Sequence, residues 1–258
     1  MSTSDNEAVL TERRGRILLI TINRPDQRNA VNAAVAQGIA AALDELDSDP
    51  GLSVGVLTGA GKGFSAGMDL KAFVTGERPY AGDRGFAGIT QRSSEKPLIA
   101  AIEGFAVAGG LEIALSCDLI VASHGARLGI PEVKRSLVAA GGALLRLPRL
   151  LPRTITMELA LTGDPIEAQR GFALGLVNRL AEPGHAVETA LELAEEIAAN
   201  GPLALAATKR IVVESVDWPE SEFFDRQGEI AGPVMASEDA REGATAFAEK
   251  RAPEWKGH

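Results

Sequence analysis

Short, almost uninterrupted apolar runs constrain this chain most: RILLITI at 16–22, LSVGVLTG at 52–59, PLIAAIEGFAVA at 97–108, DLIVAS at 118–123 and LVNRL at 176–180. A strand with one wet face alternates polar and apolar residues, whereas a strand covered on both faces does not. These runs are short and bounded by turn residues, so they read as buried strands. Helical periodicity fills the gaps, across 32–46 and in EIALSC after the double glycine at 109–110. The interleaving predicts an α/β fold with the strands buried on both faces.

The pattern changes in the second half. ALELAEEIAAN, PLALAATKRIVVES and SEDAREGATAFAEKR all carry amphipathic helical spacing, and Gly201-Pro202 separates the first two. Asp164 before Pro165 reads as a helix N-cap followed by proline in the first turn. With 258 residues the chain is long enough for one substantial core and a small appended unit. The expected organisation is a flexible N-terminus over 1–10, a core over 11–200 and a helical C-terminal subdomain over 201–258. A unit of strand, small-residue turn and helix occurs twice, in VLTGAGKGFSAGMDL (56–70) and IAAIEGFAVAGGLEIAL (99–115).

Charge and cysteine usage narrow the classes. A net charge of −9 disfavours binding to nucleic acid or to an anionic membrane surface. No apolar run reaches the roughly 18 residues of a membrane span, and MSTSDNEAVLTERR is polar and acidic, unlike a secretory signal. The lone cysteine, Cys117, excludes an internal disulfide and a multi-cysteine metal site, and the expected compartment is the cytoplasm.

Glycines in the two turns let the backbone approach a ligand closely, and helix-initial N–H groups behind them attract negative charge; alternatively, the glycines serve only to turn the chain. GAGKG at 59–63 fits neither the dinucleotide fingerprint nor the P-loop, because Phe64 and Gly63 stand where those motifs need Gly and Ser or Thr. GFSAG at 63–67 matches the nucleophile elbow, with Ser65 as nucleophile and His185 as the available base, so a serine hydrolase is one reading; a solvated loop His185 is the other. Glu112 directly follows the second glycine turn in an otherwise apolar stretch, and Glu132 follows Pro131 after another short apolar strand. Two carboxylates at the ends of apolar segments suit general acid–base chemistry, since burial and mutual repulsion raise a carboxyl pKa. Glu132 also reads as an exposed turn residue or a helix cap. Arg24, Arg28, Lys62 and Lys71 flank the turns and suit a phosphate, or merely solubilise the surface.

Taken together, NRPDQRNAVN (23–32), GKGFSAGMDL (61–70), KPLIAAIEGFAVAGGLEIALSCDLIVAS (96–123), IPEVKRSL (130–137), ALTGDPIEAQRGFALGLVNRL (160–180) and EDAREGATAFAEKR (238–251) resemble the enoyl-CoA hydratase/isomerase, or crotonase, family. The resemblance implies a crotonase-like (ClpP/crotonase) fold of repeated ββα units in the core, with C-terminal helices that build homotrimers or hexamers as dimers of trimers. It places two oxyanion-stabilising N–H groups on Met68 and Gly109, and the acid–base pair on Glu112 and Glu132. Glutamate at both positions implies an enoyl-CoA hydratase, a lyase adding water syn across a trans-2-enoyl-CoA, with Glu112 activating the water and Glu132 protonating the α-carbon. The coenzyme A moiety, part of the substrate, falls on Arg28, Ala30, Ala66, Asp69, Leu70 and Gly110, with Phe247 and Lys250, the last two from a neighbouring subunit. No metal and no separate cofactor is implied.

The chain departs from the family in SLVAAGGALLRL (136–147), where many hydratases have a loop like GLIPGAGGTQRL bordering the acyl pocket. The C-terminal FAEKRAPEWKG is similar to carnitinyl-CoA dehydratases, which leaves a functionalised acyl group as an alternative; a Δ3-Δ2-enoyl-CoA isomerase, which needs one carboxylate and no attacking water, is another within the family. A non-catalytic acyl-CoA-binding member is a further reading.

Overall fold

The computed structural model describes residues 7–258. The expected flexible N-terminus at 1–10 lies outside the described residues over 1–6, while Val9 and Leu10 open a strand.

Six strands form the main sheet: β1 (Val9–Arg14), β2 (Ile17–Ile22), β3 (Val54–Gly59), β4 (Leu98–Ile102), β6 (Leu119–Ser123) and β9 (Arg179–Ala181) lie side by side in that order. β1 pairs antiparallel with β2, and every other neighbour is parallel. A smaller sheet orders β5 (Phe105–Val107), β7 (Arg127–Gly129) and β8 (Ile166–Glu167). The uninterrupted apolar runs have the predicted cause. Leu18, Ile20, Ile22 and Leu57 point into a core shared with α1 (Ala33–Ser48) and the small sheet, whereas Ile17, Leu19, Val54, Val56, Ile99, Ala101 and Val121 point the other way against α7 (Ala186–Ala198). Asn32 caps α1 by accepting from the Val35 N–H at 3.1 Å.

Three local expectations change. The run 97–108 is two strands in different sheets, because the chain bends at Gly104, which sits at φ +53° with its Cα so close to the Lys62 carbonyl that a Cβ would fall 2.1 Å from it. The strand expected over 176–180 is β9, shifted toward 179–181. Asp164 starts no helix: Ile166–Glu167 form β8, α6 (Ala168–Ala173) begins after it, and Asp164 pairs with Lys134.

Four short helices follow the turns, α2 (Leu70–Val74), α3 (Gly109–Ala114), α4 (Ala143–Leu150) and α5 (Arg153–Thr162); α3 packs on β5, and α5 on α4 and the 131–135 turn. The C-terminal segment is α8 (Pro202–Glu214), α9 (Phe223–Met235) and α10 (Glu238–Glu249). Within one chain neither α8 nor α9 carries a fully buried residue. Lys209 ties α8 to the sheet, its Nζ 2.7 Å from Asp118 and 2.9 Å from the Lys96 carbonyl. No helix among the described residues is long and apolar enough to cross a membrane.

Candidate active site

The two glycine turns meet. In the first, Ala66 donates to the Arg28 carbonyl, Val31 to Gly67 and Asp69 to Val31, so residues 28–31 and 66–69 run as a short parallel ladder. In the second, Val107 donates to the Ser65 carbonyl, and α3 starts at Gly109. Their approach depends on missing side chains. A Cβ on Gly67, at φ +85°, would lie 2.6 Å from Gly109 N; one on Gly110 would lie 2.1 Å from the Ser65 carbonyl oxygen. Among the described residues neither Met68 N–H nor Gly109 N–H donates to a protein acceptor. Gly109 is the first residue of α3, where N–H groups have no intrahelical partner. Ala108, just before it, holds φ +52°, a backbone strain that the surrounding turn enforces.

Glu112 lies in the first turn of α3 and is 4% exposed. The loop before α4 wraps its carboxylate: Ala143 N–H donates to Oε1 at 3.2 Å, and the Gly141 and Gly142 N–H groups face the same group. Burial pushes the Glu112 pKa up, while these N–H groups and the Arg146 guanidinium oppose that rise. Glu132 sits in a 3₁₀ turn, Pro131–Arg135, that follows β7. Its Oε2 is buried with no hydrogen-bond partner among the described residues. Burial, reinforced by the charge of Glu112, pushes its pKa up to about 7. The pair therefore offers one carboxyl group supported by N–H donors and one whose burial favours its proton, the combination an acid–base dyad needs.

Other expected residues separate into groups. Arg28, Ala30, Ala66, Asp69 and Leu70 lie together along the 28–31/66–69 ladder and the start of α2, with Arg28 at φ +54°. Asp69 is committed locally: it caps α2 through the Lys71 and Ala72 N–H groups and pairs with Arg24 at 3.0 Å. Burial pushes its carboxyl up, but these donors outweigh it and hold the pKa below its usual value. Arg24 is thus occupied, and also donates to the Ala30 carbonyl. Phe247 is on α10, which packs on α9, and Lys250 caps its C-terminal end; Phe247 is 87% exposed. Ser65 cannot serve as the hydrolase nucleophile in this arrangement. Its hydroxyl is fully buried, donates to the Asn29 carbonyl and accepts from Gly67 N–H, while His185 pairs with Glu188 ahead of α7. The GFSAG motif is a structural turn.

Sequence reading missed the residues that hold this geometry. Asn29, 1% exposed, accepts from Arg24 N–H through its side-chain oxygen and donates to the Ala60 and Gly63 carbonyls, pinning the first turn. The Gly141–Ala143 cradle of Glu112 was missed too, although the double glycine at 141–142 was the available signal. Among the described residues no cluster of His, Cys, Asp and Glu is placed to hold a metal ion.

Residues 12–258 match the family model described as enoyl-CoA hydratase/isomerase. The chain is 44% identical over 255 residues to enoyl-CoA hydratase EchA19 of Mycobacterium tuberculosis, covering 96% of each, and 42% identical over 260 residues to a carnitinyl-CoA dehydratase of Salmonella typhi, covering 98% of this chain and 99% of that one. The crystal structure of enoyl-CoA hydratase EchA1 from Mycobacterium marinum superposes with a TM-score of 0.96 at 59% identity, covering 98% of this chain and all of the other. That of carnitinyl-CoA hydratase from Mycobacterium avium superposes with a TM-score of 0.80 at 45% identity, covering 98% of this chain and all of the other.

Proposed function

The chain belongs to the enoyl-CoA hydratase/isomerase family and has the crotonase fold, and from that premise we propose that it is a hydro-lyase that reversibly adds water to a trans-2-enoyl-CoA thioester. The observation that carries this reading is the pairing of two glutamates with opposite support, Glu112 cradled by N–H groups and Glu132 with an unpartnered oxygen, beside two free backbone donors.

In the forward direction the thioester oxygen sits between Met68 N–H and Gly109 N–H. Glu112, ionised, takes a proton from the water that attacks the β-carbon. Electrons move through the double bond onto the thioester oxygen, and the two N–H donors bind the enolate charge as it forms, each worth about 3 kcal/mol of barrier. Glu132 then delivers its proton to the α-carbon on the same face. One proton leaves water and one reaches carbon, so the dyad finishes with its proton moved from Glu132 to Glu112, and exchange with solvent resets it. Arg28, Ala30, Ala66, Asp69, Leu70 and Gly110 hold the coenzyme A portion. Phe247 and Lys250 reach it from a neighbouring subunit of a homotrimer or hexamer.

A short trans-2-enoyl-CoA such as crotonyl-CoA should lose its ultraviolet absorbance when mixed with the protein. Glu112→Gln and Glu132→Gln should each slow that loss by about 10³-fold. Full activity in either variant removes the two-carboxylate mechanism. Isomerase activity on a 3-enoyl-CoA that survives Glu112→Gln identifies one-carboxylate proton transfer instead. A panel running from crotonyl-CoA to a carnitine-derived thioester then fixes the acyl group, because the curated relatives of both kinds are almost equally similar to this chain.

A further inference from the structure

A guanidinium stands behind Glu112. Arg146, on α4, is half-buried; its Nη2 donates to the Thr90 carbonyl at 2.6 Å and its Nη1 to the Gly141 carbonyl at 3.4 Å. Two glycines separate it from the carboxylate. A Cβ on Gly141 would lie 2.4 Å from Glu112 Oε2, and one on Gly142 would lie 2.1 Å from Arg146 Nη1. The 141–143 backbone is therefore a thin partition, with N–H groups toward the carboxylate and the Gly141 carbonyl toward the guanidinium. Taking a guanidinium partly out of water is costly without a nearby anion, and the carboxylate that faces it is Glu112.

The charged neighbours of this pair come from three elements. Arg146 faces Glu112 on α3, the Cys117 thiol beyond the end of α3, and Arg149 on α4. Glu112 faces Arg146 from one side and Glu132 from the 131–135 turn, and Glu132 faces Arg135.

We propose that Arg146 is a positioning residue for Glu112: seated on the Thr90 and Gly141 carbonyls, its guanidinium locks the Gly141–Ala143 backbone against the carboxylate and supplies the positive field opposing Glu132. The kinetic consequence rests on the hydratase reading. Glu112 must be ionised to take a proton from water; burial works against that state, and Arg146 works for it. Without Arg146, Glu112 keeps its proton to higher pH, and the acid limb of the kcat profile moves up.

The test compares kcat and KM for crotonyl-CoA across pH in the intact protein, Arg146→Met and Arg146→Lys. Arg146→Met should lower kcat by about 10–100-fold, leave KM within about 3-fold and raise the acid limb by about one pH unit. Arg146→Lys, which keeps the charge and loses the fork, should return the limb to its original position. A fall in kcat with an unmoved limb, or an unchanged profile, overturns the proposal, since either reduces Arg146 to packing. If Arg146→Met does not fold, Arg146→Gln carries the same reading, keeping one amide donor for the Thr90 carbonyl without the charge. An infrared titration of the Glu112 carboxyl band, assigned with Glu112→Gln, separates this idea from the activity. If no thioester is hydrated, the hydratase reading fails, yet a band protonating at higher pH in the uncharged variant still supports the role of Arg146. A band that does not move refutes it.

Discussion

Glu112 and Glu132 are the same side chain held to different ends. Hydrogen bonds stabilise a carboxylate and burial destabilises it, so the N–H cradle gives Glu112 the means to ionise while the orphaned Oε2 of Glu132 favours the proton. That arrangement costs stability in a definite pH window. A carboxyl raised from 4.5 to about 7 makes the folded chain hold a proton that the unfolded chain has released, so stability falls as pH rises through that interval. Glu132→Gln removes the penalty: its Tm should match the parent at pH 4 and exceed it by about 2–4 °C at pH 8, measured by calorimetry, while activity is lost. Equal melting temperatures at pH 8 contradict the assignment of Glu132 as the strained carboxyl. At this scale the sequence showed where the glutamates are and left Glu132 open between an acid, a cap and a turn residue. What bears on that choice is the burial of its Oε2 and the charge of Glu112, which the fold brings across from α3.

Glycine turns followed by helices are the elements that make the site. The double occurrence of strand, turn and helix was legible because glycine and alanine clusters interrupt apolar runs, but the contact between the two turns was not, since nothing local specifies it. Gly67 and Gly109 touch only after β3, β4 and β5 have been laid in two sheets. Gly67→Ala places a methyl group 2.6 Å from Gly109 N at a backbone angle that alanine disfavours. It should cut kcat on crotonyl-CoA by at least about 10²-fold by displacing one or both donors, with circular dichroism unchanged. Activity near the parent level would show that the N–H pair does not bind the thioester oxygen. The single strand expected over 97–108 breaks at Gly104. A single strand through Gly104 would have carried Gly109 away from Gly67, and the bend at φ +53° returns it.

Across the whole molecule, the helical C-terminal segment is joined to the sheet through few strong contacts. Lys209 reaches Asp118 and the Lys96 carbonyl at the edge of a cavity lined also by Arg146 and Ile230. The Asp118 side chain keeps 27% of its surface exposed, and the loss of the rest pushes its pKa up against the pull of Lys209. Lys209→Met should lower stability by about 1–2 kcal/mol, because it removes the charged hydrogen bond to a partly exposed carboxylate, and should speed proteolysis between 198 and 203. Unaltered denaturant midpoints would place the join elsewhere. Phe224, Val212, Val216 and Met235 of α8, α9 and the short turn between them are each more than half exposed within one chain. If they are covered by sister subunits, light scattering should give three or six times the 27.0 kDa of the chain, and Phe224→Asp should reduce that mass. A monomer in solution would contradict the assembly on which Phe247 and Lys250 depend.

By itself the sequence determined what local chemistry can encode: strands buried on both faces, because their runs do not alternate; turns at glycine clusters; and family membership, through motifs spread over nearly the whole chain. Tertiary structure alone decided that Ser65 is a buried turn hydroxyl, that Asp164 caps nothing, that Gly67 abuts Gly109, and that a loop from α4 supports Glu112 but not Glu132. The reason is physical. A hydrogen bond, an ionisation or a steric fit between residues distant in the chain depends on separations of a few ångströms that only the packed sheet and helices fix.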